Sequence, residues 1–127
     1  MGGAMKFTVE LPMPPSINNS FVNARARGTK RYGPGRIMSD EYRAWRKGAA
    51  LAIIAQVRAD GRVGGPIDVC IDVPERMNGD VDNRIKAVLD ALVDSGRIDD
   101  DKHVMRVTCA KVAQGVMAIV TVKEWGS

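Results

Sequence analysis

At 127 residues and 45% apolar content, the chain has the size and composition of one ordinary domain with one modest core, which argues against a multi-domain organisation. No apolar run approaches the roughly 18 residues needed to span a bilayer, and no charged-then-apolar signal segment is present, so a soluble, cytoplasmic protein is expected. Net charge is only +4, but its uneven distribution is informative.

Met1 to Ala4 read as a leader ahead of a native start at Met5, which leaves a single domain over residues 5–127. Lys6 to Leu11 alternate apolar and polar and then meet Pro12, Pro14 and Pro15, the pattern of a strand stopped by prolines. Residues 16–36 carry three asparagines, three glycines and five bases without apolar periodicity, and are expected to form a mobile basic loop. Ser39-Asp40-Glu41-Tyr42 offers an N-cap serine followed by two acids in a first helical turn. Tyr42, Trp45, Ala49, Ala52, Ile53 and Val57 then recur at helical spacing, with Gly61 as the stop.

Gly64-Gly65-Pro66 breaks the chain, and Ile67 to Val73 alternates strictly, predicting a half-buried strand with its acids outward. Ile85, Val88, Leu89 and Leu92 predict a second amphipathic helix running from Asp82 or Asn83 to about Ser95 and closed by Gly96. Val104 to Val112 and Val116 to Glu124 are two β-rich runs, and Ala113-Gln114-Gly115 between them signals a hairpin. Cys70 and Cys109 lie in strand-like segments without the close partners of a metal knuckle or redox pair, so both are expected to be buried free thiols.

Between Ala24 and Lys47 there are eight bases, Arg25, Arg27, Lys30, Arg31, Arg36, Arg43, Arg46 and Lys47, against two acids, while the rest of the chain holds eleven bases and thirteen acids. Such a run is often no more than a solvated surface; beside an acidic centre it suits a protein that grips a polyanion with one region and holds a metal ion with another. That centre is Gly79-Asp80-Val81-Asp82-Asn83-Arg84-Ile85-Lys86, followed by Asp99-Asp100-Asp101. One aspartate ahead of a helix is most simply a cap. Two at i and i+2 in extended chain project to one side, and Lys86 lies one helical turn beyond Asp82, which is more than capping requires. Magnesium and manganese take oxygen ligands, commonly one or two carboxylates with substrate phosphate and water completing the shell.

A helix of about 13 residues carries the chain about 20 Å, and some six extended residues could bring Asp99 to Asp101 back to its start. Converging carboxylates would then need a divalent cation to offset their repulsion. The simpler alternatives are a solvated acidic turn and a surface pair of Lys86 with Asp82 or Asp90. His103, the single histidine, would point the same way as Asp101 in an extended segment and so reach metal or DNA, although a lone histidine usually does neither. No serine or cysteine nucleophile with a base is evident, and no glycine-rich phosphate loop is present.

In order along the chain, Leu11 to Asn19, Tyr42-Arg43, Asp80-Val81-Asp82-Asn83-Arg84-Ile85-Lys86, Asp90-Ala91-Leu92, Asp100-Asp101-Lys102-His103-Val104 and Lys111 resemble the RusA family of Holliday junction resolvases. The resemblance covers nearly the whole chain. It implies an α+β fold with a small mixed β-sheet, two main helices and the C-terminal hairpin. It further implies a homodimer that binds four-way junction DNA and cuts it by paired symmetric nicks with Mg²⁺ or Mn²⁺ and no organic cofactor. Position by position, it assigns metal binding to Asp80, Asp82 and Asp101 with Asp100 as the adjacent acid, and catalysis to Lys86 with the three aspartates. Arg84 joins the eight clustered bases as a candidate DNA contact. Two other functions fit the sequence less well: a junction-binding module without catalysis, and a metal-dependent hydrolase of small phosphates, for which so extended a cationic surface is superfluous.

Overall fold

In the computed structural model of the chain, the residues described are 5–15, 21–23, 36–38, 40–75, 84–113 and 115–126. Strand β1 (Lys6–Leu11) is followed by two short strands, β2 (Phe21–Asn23) and β3 (Arg36–Met38), then helix α1 (Asp40–Gln56), strand β4 (Ile67–Pro74), helix α2 (Ile85–Ser95) and strands β5 (Val104–Val112) and β6 (Ala118–Glu124). The main sheet has the order β1-β6-β4-β5. β6 is antiparallel to both β1 and β4, whereas β4 and β5 run parallel, so the sheet is mixed and the fold is α+β.

Each element follows from its residue pattern. β1 alternates exposed and buried positions, placing Phe7, Val9 and Leu11 in the core. α1 buries Tyr42, Ala49, Ala50 and Ile53, and α2 buries Ala87, Val88, Ala91 and Leu92, each a stripe at helical spacing laid on one face of the sheet. α2 stops at Gly96, whose φ of 74° is a left-handed conformation open to glycine at little cost. The serine proposed to cap α1, Ser39, lies outside the described residues, as do residues 1–4.

Four expectations need correction. The last two strands form but do not pair as a hairpin: β4 stands between them, because this strongly apolar strand takes the middle of the sheet and leaves β5 on its edge. Phe21–Asn23, inside the segment read as a loop, and Arg36–Met38, at its end, pair as an antiparallel ribbon, a pairing to which local periodicity is blind. Cys70 and Cys109 are only half-buried. Asp68 does not face solvent: it is 6% exposed and holds the Arg106 guanidinium at 2.5 Å, which in turn stacks over Trp125 at 5.3 Å.

Arg106 holds the Asp68 carboxyl below the ordinary carboxylate range, chiefly through their hydrogen bond, and burial opposes this only in part. A carboxylate with a depressed folded-state pKa adds stability that is complete above its unfolded value of about 4 and is lost as pH falls through the folded value. Arg106→Gln should therefore remove this share of the loss of thermal stability as pH falls below about 4, which melting curves on the acid side would show. An acid limb identical to that of the parent protein would count against it.

Two edges of the sheet matter for function. β1, β4 and β5 all point the same way, so all three end at one edge, called upper here, and begin at the other, called lower. A parallel pair cannot be joined by a tight turn, so the chain leaves the upper end of β4 and crosses back through α2 to start β5 at the lower edge.

Candidate active site

Lys86 stands in the first turn of α2, with its ammonium 3.1 Å from the Asp90 carboxylate one turn on. Its side chain is 57% exposed and that of Asp90 12%. Asp90 also accepts from the Tyr42 hydroxyl and lies 3.7 Å from the Arg46 guanidinium, which makes two hydrogen bonds to Asp94. Burial, and next the hydrogen bond to Asp90, push the Tyr42 phenol well above its ordinary pKa, so it stays a neutral donor. This network clamps α1 to α2 and leaves Lys86 as its exposed cationic end. Sequence reading places Tyr42 in the apolar stripe of the first helix and among the residues of the family resemblance, and gives its hydroxyl no partner. A buried tyrosine hydroxyl requires a partner, and that requirement is the signal pointing to Asp90.

The upper position of α2's first turn is fixed independently. Arg84 Nη1 donates to the Pro14 carbonyl at 2.7 Å, and Pro14 lies just past the upper end of β1. Trp45 Nε1 likewise donates to the Pro12 carbonyl at 3.2 Å. Asp80 and Asp82 precede Arg84 in the sequence and lie outside the described residues.

The second acidic cluster divides by role. Asp99 is engaged in structure: it pairs with Arg62 and accepts from the Gly65 backbone N–H at 2.9 Å, and these hydrogen bonds keep its carboxyl below the usual range. Asp100 is half-buried and Asp101 exposed, at the start of a 3₁₀ turn over Asp101–His103. Asp100 caps that turn by accepting from the Lys102 N–H at 3.3 Å. Its carboxyl is shifted down first by a hydrogen bond with the Asp101 carboxyl and then by the Lys102 N–H. Because Asp101 and His103 occupy a 3₁₀ turn and not extended chain, the alternation argument placing His103 beside Asp101 does not hold.

Nor does the segment after α2 fold back toward the start of that helix. Residues 97–99 run beside 63–65 at the lower edge, with Val63 N–H donating to the Arg97 carbonyl at 2.9 Å, and Val104 pairs with Ile67. Lys86 and Asp101 thus sit toward opposite ends of α2 within one chain. Among the described residues, no three His, Cys, Asp or Glu side chains gather closely enough to hold a metal ion.

The clustered bases also divide. Arg43 and Lys47 are exposed on the outer side of α1, beside Leu51 and Ile54. Arg46 is held in its ion pairs with Asp94 and Asp90, and Arg84, its pKa lowered by burial, ties α2 to the segment after β1. Arg36 belongs to β3, and Arg25, Arg27, Lys30 and Arg31 lie outside the described residues. No helix among the described residues is long and apolar enough to cross a membrane.

The family described as Endodeoxyribonuclease RusA matches residues 12–123. The crossover junction endodeoxyribonuclease of Enterobacteria phage HK97 is 35% identical over 95 residues, covering 73% of this chain and 72% of its own length. That of Escherichia coli is 31% identical over 125 residues, covering 95% of this chain and 97% of its own length. The Shigella sonnei protein is 30% identical over the same span and coverage. With the family matched from the segment after β1 to the end of β6, and relatives aligned over almost their full length, this chain belongs to the RusA family of endodeoxyribonucleases.

Proposed function

We propose that the protein is a homodimeric, metal-dependent, structure-selective endodeoxyribonuclease that resolves four-way DNA junctions by paired symmetric nicks, acting in the cytoplasm through one catalytic domain over residues 5–127. The observation that carries this reading is the family match over residues 12–123, with the Asp80-x-Asp82-Asn83-x-x-Lys86 element intact inside it. The relatives' names supply the junction as substrate.

Asp80, Asp82 and Asp101, with Asp100 beside them, are the metal ligands in this reading. The donor set fits a hard divalent cation such as Mg²⁺ or Mn²⁺: all are carboxylate oxygens, and Asp100 and Asp101 are adjacent at the start of one 3₁₀ turn, a crowding of negative charge that a cation relieves. When bound, such a cation supplies Lewis acidity toward the scissile phosphate. Lys86, held by Asp90, presents an ammonium to the charge that builds on the phosphoryl oxygens. Arg43 and Lys47, with the bases of residues 25–36, hold backbone phosphates.

The test is to incubate the protein with labelled four-way junction, linear duplex and nucleotide, with and without Mg²⁺. Symmetric nicks in the junction alone, dependent on the cation and lost in Asp82→Asn, are expected; hydrolysis of nucleotide, or cleavage that survives in Asp82→Asn, would overturn the assignment. Each phosphate contact contributes about 0.9 to the slope of log affinity against log salt, so Arg43→Ala and Lys47→Ala should each reduce that slope by about this amount. Arg46→Ala should instead lower thermal stability, because Asp90 and Asp94 lose their partner.

A further inference from the structure

Asp90 stands among Leu89, Ala91 and Leu92 on α2, and its side chain is only 12% exposed. Withdrawing a carboxylate from water costs free energy that its partners must offset, and an apolar contact between two helices would hold them at least as well. Such contact is already present. Both helices contribute to one apolar core cluster, and Arg46 of α1 makes two hydrogen bonds to Asp94, one turn beyond Asp90. Clamping alone therefore does not account for Asp90.

Its two oxygens have separate tasks. Oδ2 accepts from the Tyr42 hydroxyl and has the Arg46 guanidinium 3.7 Å away, both groups belonging to α1, whereas Oδ1 accepts from Lys86 Nζ at 3.1 Å. Tyr42 is a firm anchor. It is fully buried, its ring stacks on that of Trp45 with centroids 6.5 Å apart, and Trp45 is in turn bonded to the Pro12 carbonyl. Lys86 is the opposite case: a lysine side chain 57% exposed has many rotamers open to it, and an isolated pair one helical turn apart is too weak to select one of them. An acceptor already locked by α1 can do so.

Resting on the proposed nuclease function, we infer that Asp90, oriented by Tyr42, is a positioning residue for the reaction, fixing the direction in which the Lys86 ammonium meets the scissile phosphate. It acts only through Lys86. The carboxylate engages one N–H of the ammonium and leaves two for phosphoryl oxygens. A cation held in this way needs no reordering as negative charge develops, whereas a lysine left to its own rotamers must be ordered in every turnover. Since Tyr42 comes from α1, the helix whose Arg43 and Lys47 are assigned to backbone phosphates, the ammonium is aligned against the element that grips the DNA.

Single-turnover cleavage of a labelled four-way junction by saturating protein tests this. Asp90→Asn should lower the rate about 100-fold and Tyr42→Phe, which keeps the buried ring, about tenfold, while junction affinity in EDTA stays within about twofold of the parent protein. Added to Lys86→Ala, neither substitution should slow the residual cleavage further, because both act through the ammonium. A loss of the same size in the Lys86→Ala background, or a parental rate in both single variants, would overturn the proposal. NMR relaxation of the lysine Cε–H signals, with Lys86 assigned by its absence from Lys86→Ala, gives a readout free of the chemistry. The Lys86 signal should be ordered in the parent protein and mobile in Tyr42→Phe and Asp90→Asn; equal mobility in all three would reject the positioning role. If the parent protein cleaves no junction with Mg²⁺ or Mn²⁺, the nuclease reading fails, and this signal alone then decides whether Asp90 holds Lys86.

Discussion

Asp101→Asn should lower the Mg²⁺-dependent rate of junction cleavage by roughly three orders of magnitude, because loss of a carboxylate ligand forfeits several kcal/mol of transition-state stabilisation. Junction binding without metal should stay intact or tighten, since a negative charge is removed from the DNA-facing surface. The fair control is two residues away. Asp99 is anchored to Arg62 and Gly65, so Asp99→Asn should lower the melting temperature and leave the rate per folded molecule unchanged. Single-turnover cleavage of a labelled junction, alongside gel-shift titration in EDTA, separates the two. Equal rate losses in both variants would mean that the acidic run acts only through folding.

The second large effect is on stability. Ile71 lies fully buried in β4, the strand flanked by both β5 and β6, and packs in the core between the sheet and the helices. Ile71→Ala should cost about 3 kcal/mol, in the range for buried isoleucine truncation, and lower the melting temperature by roughly 10 °C for a domain of this size. By contrast Leu51, 58% exposed on α1, should tolerate alanine with a change within about 0.5 kcal/mol. Urea and thermal unfolding of the two variants would test the ranking; equal losses would contradict the core placement described for β4.

These expectations trace back unevenly to the sequence. Alternation in Lys6 to Leu11, the helical stripe from Tyr42 to Val57 and the Gly96 stop are local signals, and the elements they imply formed with ends shifted by a few residues at most. Strand pairing is not local. Gly115, with φ of 103°, does sit between β5 and β6, yet the strands it connects are separated by β4, a choice set by which strand can be covered on both flanks. Asp68 reads as an outward acid because alternation gives its face, and only the neighbouring β5 shows that Arg106 covers that position. In the Asp99-Asp100-Asp101 run, three identical side chains are indistinguishable by spacing. Arg62 and Gly65, more than thirty residues earlier, identify the first of them as structural. The motif of Asp80, Asp82 and Lys86 was legible because its chemistry is packed into seven residues, whereas its relation to Asp101 depends on the direction of α2 across the sheet.

The placement of β6 between β1 and β4 has a consequence for biosynthesis. The strand that joins the two halves of the sheet is made after the other described strands, and Lys6 meets Lys123 only once all the residues between them have emerged. Until then, β1 lacks the one strand neighbour it has among the described residues, and one flank of β4 stays open. Closure at so great a sequence separation is intrinsically slow, and a nascent chain in this condition exposes apolar strand flanks to other chains. Ending the chain within β6 should therefore shift the product from soluble protein to aggregate. Met5 and Glu124 adjoin, with Glu124 N–H donating to the Met5 carbonyl at 3.1 Å, so linking the chain between them and opening it ahead of β4 would relieve that delay by letting the central strands be synthesised in succession.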